Sequence, residues 1–141
     1  MGQEQIEPIE VETTVKAPVQ KVWEYWTDPI HITHWNNAAD SWHTPAASND
    51  LRVGGSFLYR MEARDGSFGF DFGGTYDEVE ENQIIRYTLG DGRAVTVRFE
   101  GRGGETIVKE VFEPELINPK EMQQAGWQSI LDNFKRYVEG N

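Results

Sequence analysis

The sequence predicts an α+β fold, one strongly bent antiparallel sheet wrapped around a long C-terminal helix. Three observations predict it. In the middle of the chain the turn pairs Gly54-Gly55, Asp65-Gly66, Gly73-Gly74, Glu81-Asn82, Asp91-Gly92 and Gly103-Gly104 separate alternating segments, the mark of an antiparallel meander. Two short helical patterns directly follow the first strand pattern. At the C-terminus an amphipathic helix carries an apolar stripe, and the only large apolar surface left to cover it is one face of the meander.

From Ile6 to Val15, the residues Ile9, Val11, Thr13 and Val15 alternate with Glu10, Glu12 and Thr14, which predicts a half-exposed strand. Ala17-Pro18 opens a helix, because proline suits a first turn, and Val19, Val22, Trp23 and Trp26 follow at i, i+3, i+4 and i+7. Asp28-Pro29 stops that helix and starts a second short one over Ile30 to His34, with Asp28 as N-cap and Pro29 in the first turn. The stretch from Trp35 to Asn49 is rich in Asn, Ala, Ser and Thr without a clear period, and reads as an irregular loop carrying Trp35 and Trp42.

In the meander, Phe57, Tyr59, Met61 and Ala63 share one face of a strand, and Phe68, Phe70 and Phe72 share one face of the next. Gly73-Gly74 predicts a bulge or sharp bend. Ile85, Tyr87 and Leu89, then Val95, Val97 and Phe99, continue the apolar face. Pro114 and Pro119 bracket the exit from the last strand, and Met122, Gly126, Ile130, Phe134 and Val138 form the stripe of the terminal helix, flanked by Trp127, Leu131 and Tyr137.

A length of 141 residues fits one domain, taken as residues 1–141, and 38% hydrophobic with 12% aromatic residues is enough for a sizeable core. The absence of cysteine excludes disulfides, thiolate nucleophiles and Cys-ligated zinc. Thirteen Lys and Arg against 24 Asp and Glu leave a net charge of −11, which repels phosphate backbones and anionic lipid heads. Neither nucleic acid nor a membrane is therefore an expected partner. No apolar run is long enough to cross a bilayer, and Met1-Gly2-Gln3-Glu4 lacks the pattern of a secretion signal, so a cytoplasmic location is expected.

No G-x-S-x-G, P-loop, G-x-G-x-x-G or H-E-x-x-H motif is present, so no catalytic residue is assigned. His31, His34, Asp40 and His43 are a ligand set that zinc accepts, but in a short helix and a loop they lack fixed spacing. No metal and no cofactor is expected. The aromatics carry more. Trp23, Trp26, Trp35 and Trp42 lie close together opposite a sheet bearing Phe57, Tyr59, Phe70 and Phe72. A bent sheet closing on one helix leaves space, and an apolar cavity with a few polar groups is the usual form of a small-molecule site.

The last strand, Thr106 to Phe112, is apolar in neither phase: one holds Val108, Glu110 and Phe112, the other Ile107, Lys109 and Val111. Whichever phase faces inward carries a charge at its middle unless a bulge intervenes. The expectation is that this charge lies near a strand end and reaches water; were it interior, Arg98, Arg86 or Arg60 would serve Glu110, or Glu62 would serve Lys109, and the charge would orient a polar group of a ligand.

The run Val15 to Trp23, continued by Trp26-Thr27-Asp28-Pro29 and His34-Trp35, resembles the opening of the START-like superfamily, and within it the family named for homologues of the activator of the heat-shock-protein-90 ATPase. Asp50-Leu51-Arg52-Val53-Gly54-Gly55-Ser56-Phe57 resembles that family's D-L-R-x-G-G-x-F signature. Gly74-Thr75-Tyr76 with Glu78-Val79 resembles its G-x-Y-x-E-V strand, and Val95 to Phe99 and Gly126-Trp127 complete the series. The resemblance implies a helix-grip fold with a pocket between curved sheet and C-terminal helix, in a family whose members bind apolar or aromatic small molecules. Trp35-Asn36 stands where many members carry two adjacent tryptophans.

The expected function is binding of an apolar, aromatic or lipid-like small molecule. The expected ligand-binding residues are Trp35 and Trp42 from the loop, Tyr59, Met61, Phe70 and Phe72 from the sheet, Glu110 from the last strand, and Met122, Trp127 and Ile130 from the helix. Two alternatives stand beside it. One is an enzyme of cyclase, dehydratase or hydrolase type with Glu110 or Glu62 as general base near Tyr59. The other is an interaction module that meets a chaperone through its acidic surface.

Overall fold

The computed structural model describes residues 7–141. In chain order it contains β1 (Ile9–Val15), α1 (Val19–Thr27), α2 (Pro29–Trp35), β2 (Trp42–Asn49), β3 (Ser56–Ala63), β4 (Gly69–Glu80), β5 (Ile84–Leu89), β6 (Ala94–Arg102), β7 (Glu105–Phe112) and α3 (Lys120–Glu139). The strands form one antiparallel sheet in the order β1-β7-β6-β5-β4-β3-β2, curled into a half-barrel around α3. Ile6, expected in the first strand, lies outside the described residues.

The local signals act as the sequence reading requires at both short helices. The Asp28 carboxylate accepts from the backbone N–H of Ile30 at 3.0 Å, with Pro29 in the first turn of α2. α1 buries Val22, Trp23 and Trp26, and Trp26 packs edge-on against Phe99 of β6 and Phe134 of α3. The fully buried centre is formed by Val15, Val22, Ile32, Ile85, Val97, Val108, Phe112, Leu131 and Phe134, drawn from every layer.

Three expectations are corrected. Residues 42–49 are a strand, not a loop, and Trp35 is the last residue of α2. β2 is an edge strand, so its residues need ladder partners on one side only, and Pro45 sits in the register shift between His43 and Ala46, where no ladder donor is required. Gly73-Gly74 does not interrupt β4; the bulge falls at Asp77, between Tyr76 and Glu78. The glycines serve close approach instead. A Cβ on Gly73 would stand 2.6 Å from the Phe57 carbonyl oxygen, and one on Gly74 2.5 Å from that of Thr88. Phe68, expected on the same strand face as Phe70 and Phe72, precedes β4 and is exposed.

The stripe of α3 is also displaced. Its buried residues are Gln123, Leu131, Phe134 and Val138, while Met122 is exposed. α3 additionally closes the open edge of the sheet: Gln124, Gln128 and Lys135 donate side-chain hydrogen bonds to the β1 carbonyls of Glu10, Glu12 and Thr14. These are carbonyls that no neighbouring strand would satisfy.

Candidate functional site

Alternation along β3, β5, β6 and β7 sends one set of side chains to the concave face. Phe57, Tyr59 and Met61 point there from β3, Ile85 and Tyr87 from β5, and Val108, Glu110 and Phe112 from β7, all buried. Between this face and α3 lies a pocket of about 300 Å³. Its sheet wall is formed by Phe57, Tyr59, Met61, Phe70, Phe72, Tyr76, Ile85, Tyr87 and Glu110, its helix wall by Trp127 and Ile130. Trp26, Trp35 and Asn36 contribute from the α1–α2 side, and Arg93, Glu115, Asn118 and Gln123 add polar groups from the β5–β6 turn, the β7–α3 connection and the start of α3.

Each wall is held by its own contacts. Trp127 stacks on Phe112 with ring centres 3.9 Å apart and meets Phe72 edge-on, so one helix residue spans β7 and β4. Trp35 is locked by its indole N–H donating to the Tyr25 carbonyl and by packing against Trp26 and Phe134. The Tyr76 hydroxyl donates to Asn49, whose amide donates to the Thr27 carbonyl, tying β4 to β2 and α1. Gln123 fastens the segment between β7 and α3: its amide donates to the carbonyls of Glu115 and Asn118 and accepts from the Glu115 N–H.

Glu110 is the unusual group, and it corrects the expectation that the charge of this strand reaches water near a strand end, because its phase is the one that the curled sheet turns inward. It is 5% exposed, paired across the ladder with Val11 and Val97, and it opens onto the pocket. It has no hydrogen-bond or ion-pair partner among the described residues, and burial alone pushes its carboxyl up from an ordinary 4.5 to about 8. At neutral pH it therefore keeps its proton and presents a hydrogen-bond donor as well as acceptors. Tyr59 and Tyr87 are raised well above the ordinary tyrosine value, first by burial, with neighbouring groups including Glu110 adding to it.

The arginines expected to neutralise Glu110 do not reach it. Arg60 pairs with Glu62 at 2.9 Å and with Asp71 at 3.5 Å, and Arg86 with Glu78 at 3.4 Å. Arg98 is exposed on β6, opposite in phase to the buried Val97 and Phe99. The reason is parity: each of the three arginines lies between two inward-facing residues and so points outward. The same parity removes Glu62 from the site, since it alternates with the inward Met61, and Lys109 pairs with Glu10 rather than Glu62. Arg93, at the β5–β6 turn, is held by Asp91 at 2.8 Å and by the Glu113 carbonyl.

The expected ligand-binding residues thus divide. Trp35, Tyr59, Met61, Phe70, Phe72, Glu110, Trp127 and Ile130 line the pocket. Trp42 and Met122 line an adjoining outer hollow, reached past Met61, Phe70 and Gln123, because β2 and the first turn of α3 lie beyond the main pocket. Tyr76, Tyr87, Arg93, Glu115 and Gln123 are among the lining residues outside the expected set. Tyr87 shares the phase of Ile85 and Leu89, and Gln123 lies four and seven residues before Trp127 and Ile130 on one helix face, so both were accessible to periodicity. Arg93 and Glu115 sit in connections that no period describes. The three histidines do not converge. His31 stacks on Tyr25 and bonds the Tyr137 hydroxyl at 2.8 Å, His34 stacks on Tyr137, and His43 stands 3.9 Å from Glu62.

With this geometry in view, residues 16–139 match the family described as Activator of Hsp90 ATPase homolog 1-like protein. The chain belongs to that family. Two solution structures are similar to it: the AHSA1-like protein of Aeromonas hydrophila, at 44% identity and a TM-score of 0.85 over 94% of this chain and 93% of that one, and a protein of Cytophaga hutchinsonii, at 53% identity and 0.82 over 95% and 93%. A crystal structure from Chromobacterium violaceum, at 24% identity and a TM-score of 0.82 over 95% of this chain and 99% of that one, shares the fold. No curated protein matches the chain. The helix-grip architecture of the START-like superfamily is thus the frame, and the motifs that carried the resemblance meet physically within it. The Gly54 N–H donates to the Tyr76 carbonyl, and the Tyr76 N–H to the Gly55 carbonyl, so the D-L-R-x-G-G turn is clamped to the G-x-Y strand. A Cβ on Gly55 would lie 2.2 Å from the Asp50 carbonyl oxygen, so only glycine fits there. Among the described residues no helix is long and apolar enough to cross a membrane.

Proposed function

We propose that this Activator of Hsp90 ATPase homolog 1-like protein binds a mainly apolar small molecule, aromatic or lipid-like in character, between the half-barrel and α3. The observation that carries the reading is the aromatic-walled space of about 300 Å³ that the side chains leave unfilled. Interiors normally close to crystal-like density, so a space of this size between aromatic walls is room that the fold keeps for a guest. It stands at the lower end of the roughly 300–1,000 Å³ usual for small-molecule sites. Trp127 and Tyr59 offer broad ring surfaces to a guest, worth about 0.5–1.5 kcal/mol per aromatic contact beyond simple burial. Titration with a panel of aromatic and fatty compounds, followed by amide and indole NMR shifts, tests the reading. Shifts gathered at Tyr59, Tyr87 and Trp127 support it; shifts scattered over the convex face, or none with any compound, contradict it.

A further inference from the structure

Five polar or charged residues are buried among the described residues: Asn36, Thr44, Thr106, Glu110 and Gln123. Four are answered by the protein itself. Asn36 and Thr44 bond one another, Thr106 donates to the Ala17 carbonyl, and Gln123 binds the segment at 115–118. Glu110 alone is left open to the pocket. A buried carboxyl without a partner is costly, and a core position flanked by Val11 and Val97 would ordinarily hold an aliphatic side chain.

The surroundings define what would answer it. From β3, β4 and β5 the titratable groups facing the pocket are the phenols of Tyr59, Tyr76 and Tyr87; from the connections they are Arg93 and Glu115; α1, α2 and α3 contribute Trp26, Trp35, Asn36, Gln123, Trp127 and Ile130, none of them charged. β1 and β6 contribute valines beside Glu110. The one cation in this set, Arg93, is engaged by Asp91 and the Glu113 carbonyl. A lone carboxyl inside a box of aromatic faces is complementary to an organic cation, which gains an ion pair from the acid and cation–π attraction from the rings. Glu115 among the lining groups and a net charge of −11 favour a cation over an anion on approach.

We infer that the pocket is built for an organic amine, an apolar or aromatic body joined to a basic nitrogen whose N–H groups pair with Glu110. This rests on the small-molecule reading above and names the ligand class for the same pocket. Binding then carries a proton signature. The free protein holds a proton on Glu110 at neutral pH, and pairing with an ammonium favours the carboxylate, so that proton is released to solvent as the amine binds.

Three probes of one shape test it: naphthylmethylamine, naphthalenemethanol and naphthoate, titrated calorimetrically into the intact protein at neutral pH in two buffers of different ionisation enthalpy. The amine is expected to bind roughly tenfold or more tighter than the alcohol, with the carboxylate weakest and about one proton released per amine bound. Glu110→Gln should bring the amine down to the affinity of the alcohol. The proton count is read on the unaltered protein, so it decides the matter even if that variant fails to fold. Equal binding of amine and alcohol, a preference for the carboxylate, or no proton release overturns the amine assignment while leaving the pocket as a binding site. Failure of all three probes overturns the small-molecule reading as well.

Discussion

At Glu110 an inward strand position that would ordinarily hold an aliphatic side chain holds an acid, and the consequence for stability has a definite sign. The folded chain keeps a proton that the unfolded chain surrenders near the ordinary value of 4.5, because burial raises the folded group to about 8. Between those values unfolding releases a proton, so this site's contribution is fully present below the ordinary value and is lost as pH rises through about 8. The loss is on the order of 4–5 kcal/mol, at about 1.4 kcal/mol for each tenfold change in proton affinity. Glu110→Gln keeps the shape and removes the ionisation. Denaturant unfolding at about pH 5 and about pH 8 should show the parent weakening relative to the variant by several kcal/mol; parallel pH profiles would mean that Glu110 is not held in the unpaired, buried state described. The oddity of this strand was legible, since both phases of Thr106 to Phe112 carry a charge. Which phase faces inward was not, because that depends on register with β1 and β6. The alternation of Arg60, Arg86 and Arg98 with inward-facing neighbours is itself visible in the sequence and excludes them as its partners.

Elements declare themselves in sequence when their own period or caps create them, as in α1, α2 and the β5–β6 hairpin, and stay hidden when tertiary context does. β2 is the clear case: Trp42–Asn49 contains a proline and small polar residues, and its strand geometry comes from pairing with β3. The first turns of α3 are a second case. Met122 and Gly126 continue the apolar spacing on paper, yet the helix runs past the end of the main pocket there and turns Gln123 inward instead. Gly126 consequently has no backbone to accommodate, and a Cβ would meet no atom within 4 Å. Gly126→Ala should therefore raise stability by about 0.5–1 kcal/mol, the usual gain when a helix-interior glycine is replaced without strain. A midpoint of thermal unfolding that falls in this variant would show that the glycine is required for packing.

Across the whole molecule, the half-barrel closes on α3 through large aromatic residues at its two ends, Trp26, Trp35 and Phe134 at one and Phe112, Phe72 and Trp127 at the other. Both edges of the sheet are occupied, β1 by side chains from α3 and β2 by its packing against α2. What remains unfilled is the middle, where tyrosines and one acid face a tryptophan across open space. The fold and the aromatic make-up of this region were legible from the order of elements and the alternation of the meander. The polar groups from the β5–β6 and β7–α3 connections were not, because loop placement is set only once the sheet has curled. The most direct measurement of the central claim is a set of intermolecular NOEs between the intact protein and a bound naphthyl compound. The account predicts contacts from the probe's ring protons to the side chains of Tyr59, Tyr87 and Trp127 together; contacts confined to the exposed Phe68, Leu116 and Met122, with none to those three, would contradict it.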